Sequence, residues 1–446
     1  MAIIETENLS LKRILIITYY WPPTGGSGVQ RWLKFAKYLP QFGWQPVIYT
    51  PENPEAPVID NSLLRDIPAE AIIIKQPIWE PYNIYKFLSG KKKDEKISAG
   101  FLSEKKKAGF IQKLSVWLRG NFLIPDPRKF WIKPSVKYLE EYLKTHPVEA
   151  IITTGPPHSM HIIGLHLKRK TNIKWIADFR DPWTNIDFYK ELNLSAFADK
   201  QHHTMEMEVL AEADTVLTIG NTMKEEFEEM LRKNNSFKAG KVKAITNGYD
   251  EDDVKGSEIS LDEKFSIAHI GTLTPSRNPH VLWKALQKLT KENTEFANDL
   301  QIKFVGKVDA NVSESLQKAG LDKYVNKIEY LDHDKVIDLQ CRSQVLLLLI
   351  NNTPNSKGIL TGKFFEYMSA QRPILCIGPA DGDAAAILNE TQSGKISGYE
   401  DVSGLKKNIM EFYTLYKQKQ LFVNSKGIEK YSRKNLTKEL SDLINY

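Results

Sequence analysis

Two cysteines in 446 residues are too few for a disulfide framework. Cys341 and Cys376 both sit in apolar surroundings and read as buried thiols of a reducing compartment. Long apolar runs are missing too. The longest strongly apolar stretch, VLLLLI at 345–350, falls far short of the ~20 residues that span a bilayer. The first apolar run, ILIITYYW after Arg13, ends in Pro-Pro rather than at a cleavage site, so no signal peptide is expected. Nine histidines include no H-E-x-x-H, and the cysteines form no pair, so no metal site is expected. There is no P-loop, no heptad pattern and no internal repeat. The net charge of +6 is mild, and no RNA- or DNA-binding module accompanies the basic residues, so no nucleic-acid partner is expected.

What is present is ordinary for a globular protein: 41% hydrophobic and 26% charged residues. The length implies two or three domains. Residues 13–19 read as a buried strand, TYYWPPTGGSG as a glycine-rich loop, and Val29, Trp32, Leu33, Ala36 and Leu39 recur at helical spacing. Strand, glycine loop and helix open a nucleotide-binding α/β unit, in which Gly26, Ser27 and Gly28 let backbone approach a phosphate or sugar. A plain turn has the same composition, and GGSG is not the full G-x-G-x-x-G. Strands at 45–50 and 71–75 continue the alternation.

Residues 82–137 interrupt it. From Lys86 to Lys137 fourteen Lys and Arg stand against four acids, a local excess of +10. Phe110, Ile111, Leu114, Trp117, Leu118 and Phe122 lie among them at helical spacing. Such a segment is either a solvated loop with a packed helix or a membrane-surface patch. The alternation resumes with a strand at 149–154, the loop-to-helix run GPPHSMHIIGLHLKRK and a strand at 174–179 ending in DFRDPW. His158, Asp178, Arg180 and Asp181 therefore fall at carboxyl ends of buried strands, where open α/β sheets place a ligand crevice. For His158, capping a helix start is an equal alternative.

ITNGYDEDD marks a boundary, after which the βα rhythm restarts at 265–270, with strands near 301–305, 327–331, 345–350 and 374–377. In SKGILTGKFFEYMSAQRPIL, Thr361 and Gly362 stand where a helix needs a cap and offers free N–H groups. Lys363 and Glu366 share the next helix face. A cation there suits a diphosphate and the carboxylate a sugar hydroxyl pair, although an ordinary surface Lys–Glu pair has the same spacing. The expected fold is α/β, with two Rossmann-like doubly wound domains. These span 1–250 (with the basic insertion 82–137) and 251–425, and residues 426–446 form a closing helix returning to the first.

TYYWPPTGGSGVQRW, ADTVLTIG, ITNGYD, HIGTLTPSRNP and LTGKFFEYMSAQRPIL, in that order, resemble family-4 glycosyltransferases of the GT-B fold. The resemblance implies two domains facing across a cleft, retention at the transferred sugar, a nucleotide-sugar co-substrate and no metal or other cofactor. It implies that Gly26, Ser27 and Gly28 lie beside the donor phosphates. It likewise makes Arg277 and Lys363 the basic pair at the diphosphate and Glu366 the ribose-binding second acid of an E-x7-E motif. Asp181 lies close to where many members carry a catalytic histidine. Two positions depart from the pattern: Gly358 replaces the first acid, and Thr272 stands where many members have arginine.

The catalytic candidates are thus Asp181, Asp178, Arg277 and Lys363. Gly26, Ser27, Gly28, Thr361, Gly362 and Glu366 are donor-binding candidates, and His158 and Arg180 lie on the acceptor side. Asp250-Glu251-Asp252 and Asp381-Gly382-Asp383 match the D-x-D of metal-dependent transferases, but such matches are frequent in acidic loops. The function expected is transfer of a sugar to a glycan or lipid-linked acceptor in surface polysaccharide or glycoconjugate synthesis. The site of action expected is cytoplasmic, either in solution or peripheral on an anionic membrane through 82–137. A sugar-nucleotide epimerase of similar fold and a non-catalytic nucleotide-sugar-binding protein are the alternatives.

Overall fold

The computed structural model describes residues 11–55, 58–81, 110–254, 260–329, 331 and 333–445. Of the basic insertion, residues 82–109 lie outside the described residues. The chain forms two compact units, Met1–Thr246 with Lys434–Tyr446, and Asn247–Arg433.

In the first unit the order is β1 (Lys12–Ile17), α1 (Ser27–Tyr38), β2 (Trp44–Pro51), β3 (Ile72–Gln76), α2 (Phe110–Phe122), α3 (Lys129–Thr145), β4 (Ala150–Gly155), α4 (Ser159–Thr171), β5 (Lys174–Phe179), α5 (Ala196–Glu212), β6 (Thr215–Thr218), α6 (Asn221–Lys233) and β7 (Val242–Ala244). Among the described residues the sheet has seven parallel strands in the order β3-β2-β1-β4-β5-β6-β7. β1 and β4 are continuous apolar runs because parallel strands are covered on both faces. The reversal of order between β1 and β4 is a topological switch point, where loops diverge and leave a crevice at the strand ends. Val29, Trp32, Leu33 and Ala36 of α1 are buried against the sheet, each worth about 1.5–3 kcal/mol for the larger side chains.

The second unit runs β8 (Phe265–Ile270), α7 (His280–Glu292), α8 (Thr294–Asp299), β9 (Leu300–Val305), α9 (Ala310–Lys318), β10 (Val325–Ile328), α10 (His333–Arg342), β11 (Val345–Leu349), α11 (Gly362–Ser369), β12 (Ile374–Ile377), α12 (Asp383–Thr391), β13 (Gly394–Ser397) and α13 (Val402–Lys417). Among the described residues its parallel sheet has six strands in the order β10-β9-β8-β11-β12-β13, with its switch point between β8 and β11. Two parallel, doubly wound sheets are the architecture that the βα rhythm predicts.

The last helix, α14 (Arg433–Asn445), buries Leu436, Leu440 and Ile444 in the first unit's core. Trp44 Nε1 donates to Ser441 Oγ at 3.0 Å, and Lys174 Nζ donates to the carbonyls of Leu443 and Ile444. The units part at 246/247 and 433/434, rather than at 250/251 and 425/426. The cause is a backbone ladder. Tyr249 N donates to Tyr431 O and Arg433 N to Tyr249 O, which ties both connecting segments to the second unit.

Candidate functional site

In the second unit the residues gather at the β8/β11 switch point. β8 is followed by Gly271, whose φ of +123° favours glycine; a Cβ here would lie 1.9 Å from Lys363 Nζ. The chain then makes a short turn, Pro275–Arg277. Arg277 Nε donates to Asn351 Oδ1 at 2.7 Å, and Asn351 follows β11. α11 begins opposite. Its flanking Thr361 makes no side-chain cap, and Thr361 Oγ1 is buried without a partner, so the first N–H groups of the helix stay free of side-chain capping.

The helix is held in place from behind. Phe364, Phe365, Tyr367 and Met368 are buried, and Ile270 N donates to Tyr367 Oη at 3.1 Å. Lys363 is left half-buried. Burial pulls its pKa down, the nearby Arg277 charge pulls the same way, and Glu366 opposes both. Among the described residues no carboxylate lies within ion-pair distance of Lys363 or Arg277. Two cations brought together at a helix start, with no carboxylate in ion-pair distance among the described residues, form an arrangement that suits an anion. Glu366, one turn on, is half-buried with no partner for its carboxylate among the described residues. Beneath them His269 donates from Nδ1 to Leu347 O, and burial lowers its pKa to about 4, so it is neutral. Gly358 lies in the turn Ser356–Gly358 and Thr272 is exposed. Asn351, Gly271 and His269 are the members that sequence reasoning missed; only the glycine at a strand end carried any signal.

In the first unit a cavity of about 420 Å³ opens at the carboxyl ends of β1, β4 and β5, lined by Gly26, Gly28, His158, Arg180 and Asp181 among others. Gly26 has φ +97°, and a Cβ on Gly28 would sit 3.0 Å from both Arg180 Nη1 and the Tyr20 ring. Of Ser27 only the backbone, at the start of α1, is described. Arg180 Nη1 donates to Gly28 O at 2.9 Å and Nη2 to Pro156 O, so the guanidinium staples the glycine loop to the β4 loop. Burial lowers its pKa.

His158 is 8% exposed and stacks on Trp183, with ring centroids 4.4 Å apart and planes 5° from parallel. Its Nδ1 is buried without a partner, and burial drives its pKa well below 6.5, so the ring is neutral. Asp181 is open to water at the cavity surface but hemmed in by protein atoms. This crowding raises its pKa above the usual carboxylate range; Arg180 opposes the rise and Asp187 adds to it.

Asp178 is different and must be taken off the list of residues that touch a ligand. It is 0% exposed, accepting from Arg31 Nη2 at 2.9 Å, Trp32 Nε1 at 2.7 Å and Thr154 Oγ1 at 2.9 Å. Burial alone would raise its pKa, but the Arg31 charge and these hydrogen bonds hold it below the usual range. Its role is structural: it clamps α1 to β4 and β5, while Arg31 also binds the carbonyls of Ile245 and Thr246. Sequence reasoning missed Tyr20, Arg119 and Trp183 of the cavity wall. Among the described residues no group of three or more His, Cys, Asp and Glu is placed to hold a metal ion.

No protein-family model matches the sequence, and a search of curated proteins finds no match. Solved structures do match over nearly the full chain. A sucrose-phosphate synthase from Thermosynechococcus elongatus is similar with 14% identity and a TM-score of 0.61, covering 97% of this chain and 98% of its own. HepE of Anabaena, solved in complex with UDP-glucose, gives 12% identity, a TM-score of 0.58 and coverage of 97% and 99%. WaaG, described as a glycosyltransferase involved in lipopolysaccharide biosynthesis, gives 12%, 0.54, 97% and 99%. At these identities the likeness is one of fold, and the fold is GT-B, with two Rossmann-like units.

Proposed function

We propose that this chain is a glycosyltransferase of the hexosyl type that moves a sugar from a nucleotide-sugar to a hydroxyl of a glycan or lipid-linked acceptor, in surface polysaccharide or glycoconjugate synthesis. The observation that carries the proposal is the pair Lys363 and Arg277, two cations at the head of α11 with no carboxylate in ion-pair distance among the described residues. The donor diphosphate supplies the missing negative charge. Its departure develops charge that Lys363, Arg277 and the N–H groups of Gly362 and Lys363 are set to stabilise. Glu366 receives the ribose hydroxyls. The solved structures of like fold include one with UDP-glucose and one described as a glycosyltransferase, which supports a UDP-sugar donor.

In the reaction the bond from the anomeric carbon to the diphosphate breaks, a bond to the acceptor oxygen forms, and the acceptor proton is released. Transfer with retention and without a metal is the proposed course, the diphosphate charge being met by the two cations. Asp181 orients the acceptor hydroxyl or takes its proton, with neutral His158 and Arg180 shaping the wall beside it. We further read α2 as a membrane-facing element. Leu114, Trp117, Leu118 and Phe122 are exposed on it, Phe122 to 60%, beside the +10 segment. No helix among the described residues is long and apolar enough to cross a membrane.

A panel of nucleotide-sugars tested by thermal shift identifies the donor, since a ligand at ~100 times its Kd adds ~2.7 kcal/mol. Transfer is then assayed with and without acceptor. Turnover that needs no acceptor points to an epimerase, and binding without turnover to a non-catalytic sensor.

A further inference from the structure

Arg119 lines the first unit's cavity from α2, and among the described residues its guanidinium has neither an ion pair nor a hydrogen bond. The other charges of the cavity are accounted for. Arg128 pairs with Glu80 at 3.0 Å. Asp126 accepts from Ser159 N, Ser159 Oγ and Arg128 N. Arg180 donates to two carbonyls, and among the described residues no carboxylate lies within ion-pair distance of it. On the lining Arg119 and Arg180 thus stand against Asp126 and Asp181, so the charges balance in number, and Arg119 is the cation whose guanidinium no protein group engages among the described residues. Phe188 is 40% exposed on the wall, and no ring partner covers it among the described residues. An open aromatic face is a surface on which the carbon face of a sugar ring can lie.

We propose that the cavity binds a glycoside carrying an anionic group, with Arg119 taking the anion and Phe188 the sugar ring. The guanidinium fork matches a carboxylate or phosphate with two parallel hydrogen bonds, which a neutral sugar cannot use. The proposal deepens the glycosyltransferase reading by naming the acceptor class, and it rests on that reading only for what happens at Asp181. Anion recognition itself needs no donor. A sugar phosphate and a uronic acid share this chemistry, so the test separates them.

The full chain is titrated by calorimetry, without donor, with methyl glucoside, methyl glucuronide, glucose 1-phosphate and inorganic phosphate; UDP-glucose is titrated in parallel. The expected result is that one of the two anionic glycosides binds about tenfold or more tighter than methyl glucoside, the size of a charge-assisted hydrogen bond. Arg119→Gln abolishes that difference and leaves UDP-glucose binding unchanged, while Arg119→Lys keeps part of it. Preference for the phosphate assigns a phosphate-linked acceptor, and preference for the glucuronide assigns an acidic sugar. Equal binding of charged and neutral glycosides, binding of none, or a preference that survives Arg119→Gln overturns the proposal. So does inorganic phosphate binding as tightly as the glycosides, which would mark a bare anion site. If the anionic preference holds while no nucleotide-sugar binds, the transferase reading falls and this one stands.

Discussion

Replacing Lys363 by alanine removes a charge without removing an ion pair or hydrogen bond that its ammonium makes among the described residues. The ammonium has no carboxylate within ion-pair distance among the described residues, lies partly desolvated, and is further penalised by Arg277. Its loss therefore relieves strain in the free protein, and the melting temperature should hold or rise slightly. The cost falls on the reaction. A charge-assisted contact to a diphosphate taking on charge is worth about 3 kcal/mol, or roughly a hundredfold in rate. Gly271→Ala is the comparator, because its Cβ would stand 1.9 Å from Lys363 Nζ and push the ammonium aside. It should cost similar activity and, unlike Lys363→Ala, about 1–3 kcal/mol of stability from the backbone conformation at φ +123°. Both variants are assayed for nucleoside-diphosphate release at saturating acceptor, for donor affinity and for melting temperature. Lys363→Ala with activity within threefold of the parent would refute the donor assignment.

Glu366→Ala should weaken donor binding about tenfold and leave turnover at saturating donor nearly unchanged, as loss of a hydrogen bond to a charged group does; calorimetry with the donor reads it. Asp178→Asn strands the buried Arg31 charge and should destabilise by about 3–5 kcal/mol in a denaturant melt. Asp181→Asn should do the opposite. The folded-state pKa of Asp181 lies above its unfolded value, so its ionised form disfavours folding once pH rises past the unfolded pKa. The asparagine variant should thus melt at higher temperature at neutral pH yet lose transfer, and its remaining activity should lack the acidic limb that wild type shows above the ordinary carboxylate range. Trp117→Ser with Phe122→Ser should abolish flotation with anionic vesicles without altering the melting temperature; no flotation of the wild type would remove the membrane reading.

The helix start of the second unit, with its lysine and glutamate, is the most legible part of the molecule, for a local reason. Thr361, Gly362, Lys363 and Glu366 belong to one helix start, and helical spacing alone sets which of them share a face. The clamp on its partner was invisible, because Arg277 meets Asn351 across 74 residues. In the first unit the strand ends were found, but the two aspartates of DFRDPW could not be told apart. Alternation along β5 turns Asp178 to the face that α1 covers, where Arg31 from 147 residues away meets it, while Asp181 lies past the strand.

By itself the sequence determined the elements and their order. Unbroken apolar runs such as VLLLL demand strands covered on both faces, and the helices between them supply that cover. Only the tertiary structure decided which charges are answered. Arg128, Arg31 and Lys303 are each neutralised by carboxylates that chain closure delivers, Glu80, Asp178 and Asp262. Among the described residues Lys363, Arg277 and Arg119 are left without one. A lysine and an arginine look alike in sequence whether paired or bare, because a counter-ion is chosen by position in space and not by position along the chain.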